Sequence, residues 1–344
     1  AFIRRDLTMN AMGIDLVTYK IEDYFNGQRD IQLGILRTPD PDFFIEDPLR
    51  FFRVMQFVGR FRMRPDQELN ELCRTMDFSG VAQERVYQEF EKLFLQSEQP
   101  SWGIQWLRDV GRLQEVLPEL YNTIGIEQNP EWHPEGDVFE HTMQAIDKAI
   151  QVFCESEEER LILVIAALCH DLGKVVTTKL VEGKLRALGH DVEGVSLSQK
   201  LLEKLTNKTT IKHTVLKLVR HHMMPGSFIK NNAGPEAYKR LAKKLAPDTN
   251  CAFLAKLCIA DKLGRNPERG KPLPGTVVPI VDEFVKQAAA CGVLYAPEAP
   301  VLMGSDLMDL IAPGPKMGKL LEDAYEIQIN QGITDKEQLK KLIK

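Results

Sequence analysis

Along most of the 344-residue chain, apolar side chains return every three or four positions, the period of a helix that buries one face. The stretch EDPLRFFRVMQFVGRF shows this best: Asp47 suits the N-cap and Pro48 the first helical position, while Leu49, Phe52, Met55 and Val58 fall on one side. Arg50, Arg53, Arg60 and Arg64 fall on another, a basic stripe whose ordinary account is a solvated face. Short helices are expected through residues 66–120, broken at Ser79-Gly80 and punctuated by Gly111 and Pro118. Over residues 121–138 the period fades, and Pro130, Pro134 and Gly136 mark a linker or an ordered loop. Helical patterns then resume as far as the Gly/Pro-rich segment Asn266–Pro279, and again from Val281 with a Pro-Gly-Pro break at 313–315. Only residues 7–19 look strand-like, through Ile14, Leu16 and Val17; with Gly27 and Asp30-Ile31 after them they fit the last strand and loop of a mixed α/β unit. The fold class is therefore mainly α, with a short α/β element at the N-terminus. Because the chain opens on Ala1 and runs straight into Phe2-Ile3-Arg4-Arg5-Asp6, a fragment of a longer protein is expected.

Composition changes this picture little. Hydrophobic residues make up 44% and charged residues 27%, as in ordinary globular proteins, and a net charge of −5 argues against a broadly basic nucleic-acid binder while leaving room for local basic faces. KRLAKK (Lys239–Lys244) and KEQLKKLIK (Lys336–Lys344) are two such stretches. The six cysteines, Cys73, Cys154, Cys169, Cys251, Cys258 and Cys291, include no C-x-x-C pair and lie mostly in apolar segments, which points to reduced core thiols and a cytoplasmic compartment. No apolar run approaches the ~20 residues that span a bilayer, so no membrane partner is expected.

The histidines change it more. All seven lie between His133 and His222. His141 sits early in an amphipathic helix, His170-Asp171 close the apolar run Leu161–Leu168, and Asp261 follows another apolar run, CAFLAKLCIA. Polar groups at such places are costly to bury alone, and a divalent cation satisfies them together. Nitrogen with carboxylate suits Mn, Fe, Co, Ni or Zn better than Ca. His190 and the pair His221-His222 are candidates for a second position.

The order H…HD…D, with Leu-Gly-Lys after HD, resembles the HD superfamily of metal-dependent phosphohydrolases. The resemblance implies His141, His170, Asp171 and Asp261 as metal ligands, with His190 and His221 or His222 for a second ion. It also implies phosphoester hydrolysis, with His170 and Asp171 at the catalytic centre. A cation there lowers the pKa of nearby water and neutralises phosphoryl charge. Lys174 is the candidate phosphate contact, with a solvated lysine as its plain alternative.

A second set of motifs, RRDLTMNAM (Arg4–Met12), GILRTPDPDFFIEDPLRFFRVMQFVGRF (Gly34–Phe61) and ERVYQE (Glu84–Glu89), resembles the bacterial tRNA nucleotidyltransferase and poly(A) polymerase family, in the family's order. LMGSDLMDLIAPGPKMGKLLEDAYEIQINQG (Leu302–Gly332) resembles its closing helices. The family resemblance implies that Asp47 and Arg50 face the Watson–Crick edge of CTP or ATP and that Arg53 meets the triphosphate. Arg4, Arg5, Asp6 and Asn10 would shape the ribose and phosphate end, and Glu84, Arg85 and Glu89 would brace the helix turn. It divides the chain into a head remnant (1–35), a helical neck and body for nucleotide selection and RNA binding (36–136), an all-helical HD domain (137–265) and a helical tail (266–344). Implied partners are the tRNA acceptor arm, CTP, ATP, and 2′,3′-cyclic nucleotides or phosphorylated RNA ends, with Mg for nucleotidyl transfer by the intact parent. The family's Gly-Gly-x-Val-Arg-Asp loop followed by a metal-binding D-x-D pair does not occur here, so this polypeptide alone is not expected to transfer nucleotides. Two alternatives stand beside the CCA-adding reading: a non-catalytic tRNA-binding fragment and a poly(A) polymerase relative.

Overall fold

The computed structural model describes residues 2–266, 275 and 277–343; most of the Asn266–Pro279 boundary segment, with Ala1 and Lys344, lies outside them. Among the described residues the chain is mainly α, with three two-stranded sheets. It forms two compact units: the first runs to His222 and resumes over Lys256–Val278, and the second comprises Met223–Ala255 and the chain from Pro279.

The N-terminal strand is shorter than the apolar pattern implies. Met12–Ile14 pairs antiparallel with Ile21–Asp23, and Leu16 and Val17 fall in the turn, fully exposed. The cause is Asp15, whose Oδ1 accepts the N–H groups of Val17 and Thr18 at 2.8 Å and turns the chain. Gly27 and Asp30-Ile31 belong to a helix, Gly27–Leu33, and not to a loop; Asp23 accepts the N–H groups of Gly27 and Gln28 at its start.

The helix that begins the neck spans Leu49–Phe61, and Leu49, Phe52, Met55 and Val58 are all buried. Asp47 Oδ1 accepts the Leu49 N–H at 3.2 Å ahead of the first turn. Arg62 takes a left-handed conformation (φ 53°) and ends the helix, so Arg64 is not part of the basic stripe; it lies in a strand, Arg64–Pro65, parallel to Ile35–Leu36. Gln83–Gln96 and Ser101–Asp109 pack on this helix closely enough that a Cβ at Gly59 would lie 2.2 Å from Leu93 Cδ1 and one at Gly103 2.7 Å from the Met55 carbonyl oxygen. The tripeptide D-x-D is spelled once, at Asp40-Pro41-Asp42, and its first carboxylate is a helix cap: Asp40 Oδ1 accepts from Asp42 N at 2.9 Å and Phe43 N at 3.1 Å.

Beyond the loop at 121–137, Asp137 caps the helix Val138–Gln151 through Glu140 N (2.9 Å), and Ser156 caps Glu157–Cys169 through Glu159 N (3.1 Å). Three glutamates in the first turn of that second helix complement its dipole. Every residue from Leu161 to Cys169 is buried. A helix apolar all round is enclosed on every side, here by Val138–Gln151, Thr209–His221 and Gln83–Gln96. It therefore delivers His170 and Asp171 to the interior of the first unit. Helices on either side of residue 136 share this core, since Gln83–Gln96 also packs on His190–Leu205 and Ser101–Asp109 on Val138–Gln151.

The candidate metal centre

His170 closes the buried helix and Asp171 follows it; both are almost wholly buried, as are His141, His222, His190 and Asp261. His141 Nε2 lies 3.2 Å from His170 Nε2, 3.6 Å from Asp171 Oδ2 and 3.3 Å from Asp261 Oδ1, and His170 Nε2 lies 3.1 Å from Asp171 Oδ2. On the other side of the same carboxylate, His190 Nε2 lies 3.3 Å and His222 Nε2 3.9 Å from Asp171 Oδ1, and the two imidazoles are 3.1 Å apart. Asp171 thus shows one oxygen to each histidine pair.

The outer nitrogens explain the orientation. His170, His190 and His222 donate from Nδ1 to the carbonyls of Ala167, Ala187 and Val219, each at 2.7 Å, and His141 donates from Nδ1 to Glu135 Oε1 at 2.9 Å. These acceptors cannot donate, so each ring carries its proton on Nδ1 and turns a bare Nε2 inward. Nitrogen lone pairs packed 3.1–3.2 Å apart beside carboxylate oxygens repel one another unless a proton or a cation sits among them, and this donor set fits a divalent transition metal.

The charges fit as well. Burial alone would raise the carboxyls of Asp171 and Asp261. His170 and Lys174 outweigh it at Asp171, and Lys262 and Arg265 at Asp261, holding both well below the usual range. Burial and the neighbouring His190 and His170 push His222 down to about 3, which keeps it neutral as a ligand must be. Lys174 is not a solvated lysine: it is buried, 2.6 Å from Asp171 Oδ2 and 2.7 Å from Gln128 Oε1. Gly173 is required by close approach, since a Cβ there would lie 2.0 Å from the His190 carbonyl oxygen. Of the pair His221-His222, it is His222 that joins the cluster, continuing the buried row Val215, Leu218 and Val219; His221 lies one step round the helix and belongs to none of the ligand groups found among the described residues.

In the neck, the nucleotide candidates fall into small contact groups. Arg53 Nε meets Asp6 Oδ2 at 2.6 Å, and Asp6 Oδ1 accepts from Asn10 Nδ2 at 3.1 Å. Arg50 donates to the carbonyls of Phe43 and Arg4, and the Arg4 guanidinium lies 5.3 Å from the Phe43 ring centroid. Asp47 is reached by Arg85 of the ERVYQE motif, at 3.3 Å. Arg5 is exposed. In the second unit the basic stretches have acidic partners: Lys239 pairs with Glu298, Arg240 with Glu326, Lys243 with Glu322 and Glu326, and Lys336 with Asp306.

Three family descriptions match the chain in succession: poly A polymerase head domain over residues 2–37, probable RNA- and SrmB-binding site of polymerase A over 78–123, and HD domain over 138–266. The chain belongs to the tRNA nucleotidyltransferase and poly(A) polymerase family, in its HD-containing branch. It is similar to the multifunctional CCA protein of Hahella chejuensis, 33% identical over 79% of this chain and 64% of that protein, and to that of Neisseria meningitidis serogroup A, 34% identical over 79% and 64%. The chain thus spans 64% of the length of these relatives. The fold is similar to a CCA-adding enzyme solved with CTP (TM-score 0.55, 15% identity, 99% of this chain and 70% of that one) and to the Thermotoga maritima CCA-adding enzyme complexed with tRNA (TM-score 0.51, 16% identity, 99% and 72%).

Sequence reasoning about this family member missed Glu135, His133 and Gln128, all in the Pro/Gly-punctuated loop. Glu135 Oε1 accepts from both His133 Nδ1 (2.8 Å) and His141 Nδ1 (2.9 Å), and Oε2 accepts the Asn266 N–H at 3.2 Å. The signal was present as His133-Pro134-Glu135, a histidine and a carboxylate fixed by prolines just ahead of the capped helix that carries His141.

Proposed function

We propose that this chain is the nucleotide-selecting and phosphohydrolase portion of a multifunctional CCA-adding tRNA nucleotidyltransferase. Its HD centre, in this reading, hydrolyses 2′,3′-cyclic phosphates or terminal phosphates on nucleotides and RNA ends. One observation carries the proposal: four imidazoles, each fixed by its Nδ1 hydrogen bond, turn Nε2 atoms onto opposite oxygens of Asp171. His141, His170, Asp171 and Asp261 would hold one divalent ion (Ni, Mn, Co, Fe or Zn), and Asp171, His190 and His222 a second. Such an ion supplies Lewis acidity, neutralising phosphoryl charge and lowering the pKa of nearby water. His170 and Asp171 orient the centre, and Lys174 holds a positive charge beside Asp171 to meet a phosphoryl oxygen.

In the neck, Asp47 and Arg50 would select CTP and ATP, with Arg53, Asp6, Asn10, Arg4 and Arg5 toward the ribose and phosphates and the tRNA acceptor arm as the second substrate. Supporting this is the way each side chain is oriented by its own partners, Arg50 by two carbonyls and Asp47 by Arg85. The Mg-dependent transfer step would not be carried by these 344 residues, because the one D-x-D they contain begins with a helix cap. A purely RNA-holding role is less well supported, since Lys239, Arg240 and Lys243 already pair with carboxylates within the second unit.

The deciding assay is hydrolysis of 2′,3′-cyclic AMP by metal-stripped chain given Mn²⁺, Ni²⁺, Co²⁺, Zn²⁺ or Mg²⁺ separately. Turnover that needs a transition metal and vanishes in Asp171→Ala is expected. No turnover with any metal, in a folded chain, overturns the hydrolase reading.

A further inference from the structure

The four inward imidazoles are not braced alike. His170, His190 and His222 give their Nδ1 protons to main-chain carbonyls, which are neutral acceptors. His141 gives its proton to Glu135, a carboxylate with no side-chain exposure whose Oε1 also meets His133 Nδ1 at 2.8 Å. An anionic acceptor pulls harder on the Nδ1 proton than a carbonyl does, and makes Nε2 the better metal donor.

Charge is also unevenly shared. The carboxylates facing His141 are partly neutralised by their own neighbours, Asp171 by Lys174 and Asp261 by Lys262 and Arg265. Among the described contacts Glu135 has no Lys or Arg partner; its oxygens meet only His133, His141 and the Asn266 N–H. Arg265, which pairs with Asp261, is the cation that also acts on Glu135 from a distance, so the charge of Glu135 reaches the cation position chiefly through its hydrogen bond to His141. The His190–His222 side has no such backing: Asp191, next to His190, is paired with Arg220.

We infer that Glu135 is a positioning residue that makes the His141–His170–Asp171–Asp261 position the tighter of two cation positions, so that they fill in a fixed order. This rests on the metal-dependent reading given above. The Asn266 contact adds a second task, fixing the backbone that follows the helix carrying Asp261 to the same loop that orients His141.

The test is calorimetric titration of the metal-stripped full chain with Co²⁺, alongside the cobalt absorption spectrum. Wild type is expected to bind one tight equivalent, with the second weaker or undetected. Glu135→Gln keeps an acceptor oxygen but loses the charge, and should weaken the tight step about 10- to 100-fold, leave any weaker step in place and shift the cobalt spectrum. Glu135→Asp, which keeps the charge, should recover part of the loss, and His222→Ala should remove only the weaker step. An unchanged tight step in folded Glu135→Gln, or two equal steps in wild type, overturns the inference while the metal reading stands. No Co²⁺ binding by wild type brings down the metal reading itself. If Glu135→Gln does not fold, ¹⁵N NMR of wild type decides: a proton on Nδ1 of His141 is expected, and one on Nε2 overturns the role of Glu135.

Discussion

Asp171 and Asp47 are both carboxylates at a helix end with cations beside them, yet 3% of the Asp171 side chain is exposed and 40% of Asp47. At Asp171 every neighbour is fixed in turn: Lys174 by Gln128, three histidines by carbonyls and His141 by Glu135. Asp47 is paired with Arg85, itself half exposed. Burial forces complete pairing because each unsatisfied group is costly. A half-exposed carboxylate carries no such demand and remains available to a ligand. The two sites should respond very differently to the same kind of change.

The largest contrast is expected at Asp171. Asp171→Ala removes both oxygens shared by the histidine pairs and leaves Lys174 without its carboxylate. Metal retained after desalting, measured by elemental analysis, should fall by more than the roughly 100-fold upper limit typical of an outer-shell partner, and turnover with it. Loss of a buried partner should also cost the metal-free chain about 3–5 kcal/mol in urea unfolding. Gly173→Ala should come next. Its methyl must displace the His190 carbonyl or the Gly194 N–H, costing about 1–3 kcal/mol and pulling His190 from Asp171, so that metal affinity falls although no ligand is changed. Normal metal binding with normal stability in this variant would show that the close contact is not needed.

How much of this could be read beforehand follows the same divide. His141, His170, Asp171 and Asp261 were legible because a polar residue stands out against an apolar helical run, and the buried helix Glu157–Cys169 is where that contrast is sharpest. Helix types were legible from the same period; Asp47, expected as the N-cap, sits one residue ahead of Pro48, which takes the cap position, though its carboxylate still accepts the Leu49 N–H. Glu135 and Gln128 were not, because a loop has no period against which a carboxylate looks out of place. The choice between His221 and His222 depended on where a helix ends, which spacing alone fixes poorly. Leu16 and Val17 misled because a side chain of Asp15, and not hydrophobicity, decides where that strand stops.

A smaller and more graded effect is expected with pH. In the metal-free chain burial holds His222 down at about 3 and His133 at about 4, against an unfolded value of 6.5. Below about pH 6.5 the unfolded chain takes up protons that the folded chain refuses, so stability falls as pH falls, by roughly 1.4 kcal/mol per pH unit for each histidine. The loss continues until the folded groups titrate. His170 runs the other way: burial lowers it, but Asp171 prevails and raises it, so its contribution is complete below 6.5 and fades as pH rises. It does not offset the slope at pH 5. Urea midpoints of metal-free chain between pH 7 and pH 4.5 should therefore fall steadily, and a flat profile would mean that the two histidines are already accessible to solvent.

The smallest effect is expected at Arg85, and it sharpens the comparison most. The pair with Asp47 spans 3.3 Å with both side chains largely exposed, 51% for Arg85 and 40% for Asp47. Such pairs contribute about 0.2–1 kcal/mol, and less as salt is added. Arg85→Ala should therefore leave thermal unfolding almost unchanged, in contrast to Asp171→Ala. If Arg85 serves to hold the Asp47 carboxylate in place for a nucleotide, the change should appear elsewhere. Asp47 keeps its hydrogen bond to the Leu49 N–H but loses the cation that restrains its carboxylate. Titration of CTP and ATP against UTP should then show discrimination reduced by a few-fold, with little change in total triphosphate affinity, because Arg53 remains anchored on Asp6. Equal discrimination in wild type and variant would mean that Arg85 braces nothing, and that this ion pair is the surface contact its exposure suggests.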